Sequence, residues 1–371
     1  MPSSRRLRAI AKLWGINLAV LLLIIATVEF AFGNWVFGPH LGYLSIARDV
    51  VYRRDVSRAD PLRGVITYTR DRYGLRGDYG GDPGKIDILV MGGSTTAEGY
   101  VDDSDAWVAL VDRKLAEAGY GLKAVNAGIP GHSSIAHIRS FDVWLPVIPG
   151  LKPKYVMFYI GINDTVAEAL ERYDLLERRS FWGKAGAAFR NNSALYNLYS
   201  LIRGTWRAHR MHVVYRFIDT SEARMVHRYD GNPDRLRRIE TRWKDNLAAY
   251  EGRARRLVEI VRSWGAEPIF VTQVRGDSRW QGDGVIAFTD ELIDWAFIQR
   301  MFNEVTMRVC RESRGICIDL ERRFVTADGD FFDDAHTTTQ GSRKVAEIVF
   351  NGLQEALQAP SGRRETVTRP R

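Results

Sequence analysis

A serine and a histidine far apart in this 371-residue chain are the residues best placed to do chemistry together. Ser94 follows two glycines directly after a short apolar run, and His336 lies in a polar loop near the C-terminus. Asp333 precedes His336 by three residues, so its carboxylate could fix the tautomer of the imidazole. A neutral imidazole can take the proton of a serine hydroxyl. These three residue types therefore predict Ser94 as the nucleophile, His336 as the base and Asp333 as the residue that orients the imidazole. Asp334 is the alternative orienter.

Each of these motifs has other interpretations when taken alone. The two glycines of Gly92-Gly93-Ser94-Thr95-Thr96 permit a tight turn and a close approach of the backbone. A phosphate-binding loop would require a lysine followed by Ser or Thr after the last glycine, and this run has none. A purely structural turn remains an alternative for this run. For the loop around His336, the alternative is an aspartate that caps a helix and a histidine at the surface.

Two further loops could hold the negative charge that develops when a serine attacks a carbonyl. A glycine in Asn126-Ala127-Gly128-Ile129-Pro130-Gly131 can present a bare backbone N–H, and we assign that part to Gly128. The run Gly161-Ile162-Asn163-Asp164 offers the side-chain amide of Asn163. Together with the N–H of Ser94, these groups are typical parts of an oxyanion hole.

Short apolar runs alternate with helical patterns from residue 85 onward. Strands are predicted at 86–91, 123–126, 155–160, 268–272 and 316–320, and helices at about 107–115, 135–145, 239–264, 290–313 and 339–357. This alternation predicts an α/β fold, namely a flavodoxin-like three-layer α/β/α arrangement with a parallel sheet of about five strands. Because sites in such sheets form at the carboxyl ends of the strands, the loops named above should meet at one edge.

The regions outside this alternation predict the domain organisation. Residues 1–37 form a basic flank and a signal-anchor helix, 38–84 a connector, and 85–358 the α/β domain. An Arg-rich and aromatic insertion occupies about 165–238 and could cover the site or form a solvated surface excursion. The polar residues 359–371 are predicted to be a disordered tail. The three histidines of the insertion lack a consistent metal-binding spacing, so no metal site is assigned to His209, His212 or His227.

The N-terminus predicts a transmembrane helix. Basic residues 5–12 precede an apolar stretch from about 13 to 37, long enough for a bilayer core of about 30 Å. The basic flank should stay in the cytoplasm, which predicts a single-pass protein of the inner or plasma membrane with its catalytic domain outside the cytoplasm. A cleaved signal peptide is the alternative, although Glu29-Phe30-Ala31 makes a poor cleavage site.

Composition narrows the classes of partner and cofactor. The net charge of +8 could favour anionic glycans or lipid headgroups, or simply reflect a solvated basic face. No zinc-finger spacing or basic heptad occurs, so we predict no nucleic-acid partner, and no cofactor motif is present. The two cysteines, Cys310 and Cys317, are expected to pack as free thiols unless an oxidising compartment and suitable geometry join them. The oligomeric state is left open.

The order of these blocks resembles the SGNH hydrolase family, also called GDSL-like, over about residues 86–357 without the insertion. The resemblance implies Ser94 as nucleophile, Gly128 and Asn163 as oxyanion donors, and Asp333 with His336 as the other triad members. The run Gly74-Leu75-Arg76-Gly77 also looks like a segment found before the first block in membrane-anchored members. The commonest first block has aspartate before the serine, whereas Gly93 stands here, so substrate preferences of the GDS lipases do not carry over.

Three functions fit this resemblance. The first is a serine esterase or deacylase that hydrolyses O-acyl or O-acetyl esters, with a cell-envelope glycan as a candidate substrate. The second uses the same residues but transfers the acyl group to a sugar hydroxyl of an extracytoplasmic polysaccharide. The third is a non-catalytic glycan-binding component, because a fold alone does not fix a function.

Overall fold

The computed structural model describes residues 4–36, 41, 44, 46–61, 63–165, 180–196, 198–199, 202–203, 225–282 and 284–358. It divides the chain into two compact units. The first unit comprises Met1–Ser45 and Glu177–Val214, and the second comprises Ile46–Leu176 and Tyr215–Arg371. The predicted tail 359–371, His209 and His212 lie outside the described residues.

The first unit contains helix α1, Ser4–Phe32. Its stretch Ile10–Phe32 is long and apolar enough to cross a membrane, and its side chains are not buried. A membrane anchor and a signal sequence both have this length and composition. The same unit contains α5, Phe181–Asn192, which begins with Ser180 as its N-cap.

The centre of the second unit is a sheet of five parallel strands. They are β3 (Ile88–Gly92), β4 (Ala124–Asn126), β5 (Tyr155–Tyr159), β7 (Glu267–Val271) and β10 (Ile316–Ile318). Their spatial order is β4-β3-β5-β7-β10, which is the flavodoxin-like order. The five strands are almost wholly buried, as expected for a parallel sheet covered on both faces. The predicted fold class is confirmed.

Helices cover both faces of this sheet. On one face α3 (Trp107–Glu117) packs against α9 (Thr339–Gln358), and side chains such as Val111 and Val349 join one apolar cluster with Val90 and Met157 of the strands. On the other face α4 (Ser134–Val143) and α7 (Asp290–Glu312) pack against α6 (Pro233–Ser263). The alternation of buried side chains along each strand therefore supplies two apolar layers.

The predicted connector contains a hairpin-like pair of strands, β1 (Val50–Asp55) and β2 (Val65–Arg70), which pair antiparallel. Val56, Ala59 and Ile66 form a small apolar cluster with Phe332 of the histidine loop. From residue 46 onward this segment belongs to the same compact unit as the sheet. It therefore supports the loop that carries His336.

Some element boundaries differ from the predicted ones for local reasons. Helix α6 begins at Pro233 and not near 239, because Asn232 caps it and proline fits its first turn. A short antiparallel sheet of β6 (His227–Arg228), β8 (Ser278–Gln281) and β9 (Gly284–Ala287) was not predicted. The remaining short helices are α2 (Ser94–Ala97) and α8 (Leu320–Arg323).

Of the two states that the sequence left open for the cysteines, the structure has the disulfide and not two free thiols. Cys310, near the end of α7, and Cys317, in β10, form a disulfide with 5.8 Å between their Cα atoms. The helix and the strand are joined by a short turn at Gly315, where an added side chain would meet Pro268 and the sulfur of Cys310. The turn therefore brings the two sulfurs together.

Candidate active site

Ser94 lies where strand β3 ends and the short helix α2 begins. Both preceding glycines are required by space. A Cβ on Gly92 would overlap Oγ1 of Thr96 and lie 2.8 Å from the carbonyl of Tyr159, and a Cβ on Gly93 would overlap Nδ2 of Asn163. The glycine pair therefore lets the backbone turn tightly and presents Ser94, half-buried, at the carboxyl edge of the sheet.

The histidine loop is shaped by Asp333. One carboxylate oxygen, Oδ1, accepts the N–H groups of Ala335 at 2.9 Å and His336 at 2.7 Å. The N–H of Phe332 donates to the carbonyl of His336, and the ring of Phe332 stacks on the imidazole at 5.7 Å. These local bonds fix the direction of the imidazole before any substrate binds.

The structure brings Asp333, His336 and Ser94 into one line of hydrogen bonds. The second carboxylate oxygen of Asp333, Oδ2, lies 2.7 Å from Nδ1 of His336, and Nε2 of His336 lies 2.7 Å from Oγ of Ser94. Burial alone would lower the pKa of His336, but the hydrogen bond and charge of Asp333 outweigh it, so the pKa is raised above its ordinary value. Burial would raise the pKa of Asp333, but the hydrogen bond and charge of His336 outweigh it, so this pKa is lowered.

Asp334, the alternative orienter, points to a different partner. Its carboxylate lies 3.4 Å from the guanidinium of Arg275, which is held at its other side by the buried Asp277. The backbone carbonyl of Asp334 accepts the N–H of Gly276 at 2.9 Å. Asp334 therefore fastens the histidine loop to the segment after β7, and the contact with the imidazole belongs to Asp333.

The loop after β5 brings Asn163 to the same edge. Its Nδ2 donates to the carbonyl of His132 at 2.8 Å and lies beside Gly93, which leaves its second N–H unused by that bond. The neighbouring Asp164 is fully buried and accepts from Ser134 and, at 3.0 Å, from Arg253 of α6. Burial raises the pKa of Asp164, although the hydrogen bonds from Ser134 and Arg253 act in the opposite direction. Asp164 thus anchors the loop of Asn163 to α4 and α6.

The geometry disagrees with the part predicted for Gly128. Its N–H donates to Oδ1 of Asn126 at 2.8 Å, so it is already engaged, and a Cβ there would lie 2.7 Å from that of Thr96. Its carbonyl accepts from Arg70. Gly128 therefore lets the β4 loop pack closely against α2. Gly131, in the next turn at φ +79°, is half-buried, and its N–H forms no hydrogen bond among the described residues.

Two side chains that the sequence analysis did not single out tie these loops together. Gln273, after β7, donates from Nε2 to Thr95 at 2.9 Å and accepts the N–H of Ile162 at 2.5 Å. Glu98, at the end of α2, accepts from the N–H of Trp107 at 2.7 Å and from Oγ1 of Thr337 at 2.9 Å. Gln273 thus links the loop of Asn163 to α2, and Glu98 links α2 to the loop of His336.

Glu98 also predicts a pH dependence of stability. Burial raises its pKa from 4.5 to about 7, against the hydrogen bond from Trp107 and the charge of Arg76. An acid whose pKa is raised by folding favours the folded state at low pH, and that contribution disappears as the pH rises from about 4.5 through 7. The shift corresponds to about 3 kcal/mol. Glutamine cannot ionise. We therefore expect the melting temperature to fall less between pH 5 and pH 8.5 in Glu98→Gln than in the wild type.

The measurement is thermal unfolding of both proteins at the two pH values. Glu117→Gln, at an exposed position of α3, is the matched control and should behave as the wild type does. An equal fall in melting temperature for Glu98→Gln and the wild type would contradict the claim that the buried carboxyl of Glu98 ionises in this pH range.

Comparison with protein families identifies the class. The model of the GDSL-like Lipase/Acylhydrolase family matches residues 90–344, well over half of the chain. The chain therefore belongs to the GDSL-like lipase/acylhydrolase family.

Individual relatives are more distant. Esterase TesA of Pseudomonas aeruginosa is 35% identical over 77 residues, which cover 21% of this chain and 37% of that protein. The chain therefore matches little more than a third of the length of this relative. Among solved structures, a catalytic mutant of Axe2, an acetylxylan esterase from Geobacillus stearothermophilus, is 15% identical over 72% of this chain and 96% of that chain, with a TM-score of 0.42. A GDSL-like lipase from Parabacteroides merdae is 14% identical over 73% of this chain and 96% of that chain, also with a TM-score of 0.42.

Proposed function

We propose that this chain hydrolyses esters through Ser94, with His336 as general base and Asp333 as the residue that orients it. The observation that carries this proposal is the unbroken line from Asp333 Oδ2 to His336 to Ser94 Oγ, with both distances at 2.7 Å. Ser94 Oγ attacks the ester carbonyl while His336 Nε2 takes its proton. His336 then gives that proton to the leaving alcohol, and water, activated by the same imidazole, releases the acid.

The oxyanion of the tetrahedral intermediate is held by three N–H groups in this proposal. They belong to the backbone of Ser94, the side chain of Asn163 and the backbone of Gly131. Gly131 replaces Gly128 because the N–H of Gly128 is engaged by Asn126, whereas that of Gly131 is not engaged among the described residues. The Asn163–His132 hydrogen bond supports this set, because it places the turn of Gly131 next to the amide of Asn163.

The proposed place of action is the outer face of the inner or plasma membrane. The exposed apolar stretch Ile10–Phe32 behind a basic flank supports a single-pass anchor with the hydrolase unit outside the cytoplasm. The disulfide between Cys310 and Cys317 supports the same compartment, since disulfides persist where the environment is oxidising. An O-acyl or O-acetyl ester on a cell-envelope glycan is the proposed substrate, and the net charge of +8 would favour an anionic one.

Transfer of the acyl group to a sugar hydroxyl is the second candidate. It would use the same three residues, with the sugar in place of water as acceptor. A purely binding role is disfavoured, because the hydrogen-bonded line from Asp333 to Ser94 is intact. The insertion 165–238 lies mostly outside the described residues, so its part in binding substrate stays a prediction.

Incubation of the full-length enzyme with an acyl donor, with and without a polysaccharide acceptor, separates hydrolysis from transfer. We expect free acid to form at the same rate in both mixtures, and acyl groups to be released from a pre-acetylated glycan. Acetylated glycan that accumulates in place of free acid would contradict hydrolysis and favour transfer. Ser263→Ala, at an exposed position of α6, serves as the matched control in each assay.

A further inference from the structure

An acidic side chain near the end of the apolar helix α1 makes an unusual set of contacts. Glu29 accepts hydrogen bonds from Oγ of Ser193 at 2.7 Å, from the N–H groups of Ala194 at 3.0 Å and Leu195 at 3.2 Å, and from the indole of Trp35 at 2.8 Å. Both oxygens of the carboxylate are used. A charged group in an apolar span is costly, so a side chain with these partners is expected to have a structural task.

That task is to cap a helix. Residues 194–196 begin a helical segment directly after α5, and the first N–H groups of a helix lack partners within it. Ser193 accepts the N–H of Tyr196 at 3.0 Å, as an N-cap residue does, and Glu29 takes the two N–H groups in between. The start of this segment is therefore complete only when α1 is present.

The backbones approach closely at the same place. The N–H of Asn34 donates to the carbonyl of Asn192 at 2.9 Å, and a Cβ on Gly33 would lie 2.8 Å from that carbonyl. The ring of Trp35 lies 6.5 Å from that of Phe189. The end of α1 and residues 189–195 thus form one folded arrangement within the first unit, whereas a leader that is cleaved off would not be expected to pack in this way.

Residues 181–203, which we call the interfacial segment, expose an apolar face. In its second half the large apolar residues recur at i, i+3, i+4 and i+7, the spacing of one side of a helix. In a soluble domain such a face is buried, whereas here all of its members are exposed, between 39% and 62%. The face comprises Leu195, Leu198, Tyr199 and Ile202, and α5 adds Phe181 (75% exposed) and Trp182 (81%).

The charges of the interfacial segment have one sign. It contains Lys184, Arg190 and Arg203 and no aspartate or glutamate. Basic residues combined with exposed Trp, Phe and Leu are typical of helices that lie in the headgroup region of a bilayer. The aromatic rings lie next to the end of α1, where a membrane-spanning helix meets the interface.

We propose that the interfacial segment lies on the bilayer, at the leaflet where α1 ends, with its apolar face in the boundary between headgroups and acyl chains. This inference rests on the proposed anchoring by α1. The lipid bilayer is the occupant that the contacts favour, because Glu29 fixes the segment that carries the exposed face to α1, whose own apolar side chains are exposed. The hydrolase chain then has two attachments to the membrane, a span and a surface segment.

Spin-label depth measurement on the full-length protein in nanodiscs with anionic lipid tests this inference. Single nitroxide-labelled cysteines would be introduced by Trp182→Cys and Leu198→Cys, by Leu22→Cys within the span, and by Glu259→Cys at an exposed position of α6 as the aqueous control. Collision with oxygen, which concentrates in lipid, is compared with collision with a water-soluble nickel chelate. We expect a several-fold higher oxygen-to-nickel ratio at 182 and 198 than at 259, and the highest ratio at 22.

The other outcomes are distinguishable. Aqueous behaviour at 182 and 198 with a membrane-buried 22 would overturn the interfacial segment and leave the anchor intact. Low collision rates with both reagents at 182 and 198 would mean that another protein or a second copy covers the face, which also overturns the proposal. Aqueous behaviour at 22 would contradict the anchor itself and the inference with it.

A variant of Glu29 adds an independent readout. Glu29→Leu makes α1 more apolar but removes the cap of the helical segment, so we expect the label at 198 to become more mobile while the label at 22 keeps its depth. Thr27→Leu, two residues away and bonded only within α1, is the matched control and should leave the label at 198 unchanged. Equal label mobility in the wild type and Glu29→Leu would contradict the structural part of Glu29.

Discussion

Replacing Ser94 with alanine is expected to lower kcat for p-nitrophenyl acetate hydrolysis on the order of 10⁴- to 10⁶-fold. In the proposed mechanism this hydroxyl forms the bond to the acyl carbon, and its loss leaves only the oxyanion donors and a base without a partner. The fold should survive, because the Ser94 hydroxyl bonds to the His336 ring whereas α2 is held by Gln273 and Glu98.

The measurement is the steady-state rate of the purified full-length variant, with its melting temperature as a check of folding. Ser263→Ala removes a hydroxyl from an exposed site on α6 and should retain the full rate. A Ser94→Ala enzyme that kept more than a tenth of the rate would remove Ser94 from the chemistry.

The second large effect is expected for Asp333→Asn, a loss on the order of 10³- to 10⁴-fold in kcat. An amide in place of the carboxylate cannot stabilise the imidazolium that forms when Ser94 gives up its proton. It can also turn its NH₂ toward Nδ1 of His336 and select the wrong tautomer, which no longer has a free Nε2 to accept the proton.

The pH profile supplies a readout that a merely structural change would not give. His336 must be unprotonated to act as base, and its pKa is raised by Asp333, so the acid limb of the wild-type profile should lie above pH 6.5. Without the Asp333 carboxylate, only the more distant charges of Asp334 and Glu98 oppose the effect of burial on the pKa of His336, so the residual activity should show its acid limb at lower pH. The measurement is kcat/KM from pH 5 to pH 9 for both enzymes.

Asp334→Asn is the matched control for this substitution. Asp334 contacts Arg275 at 3.4 Å and adds only a more distant charge to His336, so its variant should keep most of the activity and a nearly unchanged acid limb. A larger loss in Asp334→Asn than in Asp333→Asn would mean that the orienting carboxylate has been assigned to the wrong neighbour.

The convergence of distant loops was accessible from the sequence because of one topological rule. Ser94 and Asn163 follow predicted parallel strands, and the carboxyl ends of such strands share one edge of the sheet. The strands themselves are short apolar runs between helices. Such a run is recognised from its own residues, because a strand buried on both faces is apolar throughout, whichever strands lie beside it. The fold class therefore came from this periodicity, whereas the roles of the site residues came from the motifs that follow the strands and from their resemblance to the SGNH family.

The choice among glycines could not be made in this way. Gly128 and Gly131 both follow β4, and the sequence does not tell which backbone N–H is already taken by a side chain. Asn126 decides this, because its carboxamide turns back onto the N–H two residues later. Glu98 and Gln273 were missed for a related reason. Their partners, Thr337 and Ile162, come from other loops, and contacts between loops leave no local pattern.

The N-terminal and cysteine predictions show a further limit of local patterns. An apolar stretch behind a basic flank predicts a helix well, yet Glu29 counted only as an interruption of that stretch until its partners near residue 193 were seen. The state of Cys310 and Cys317 was likewise left open, because spacing alone does not show that a turn at Gly315 folds the strand back beside the helix.

A fluorophosphonate probe tests the central claim most directly, because it forms a covalent bond only with a serine that an adjacent base activates. Full-length enzyme would be treated with the probe, digested, and the adduct located by mass spectrometry. We expect one adduct, on the peptide that contains Ser94, with loss of esterase activity in proportion to labelling. An adduct at a different serine, or unlabelled enzyme that still hydrolyses esters, would contradict the assignment.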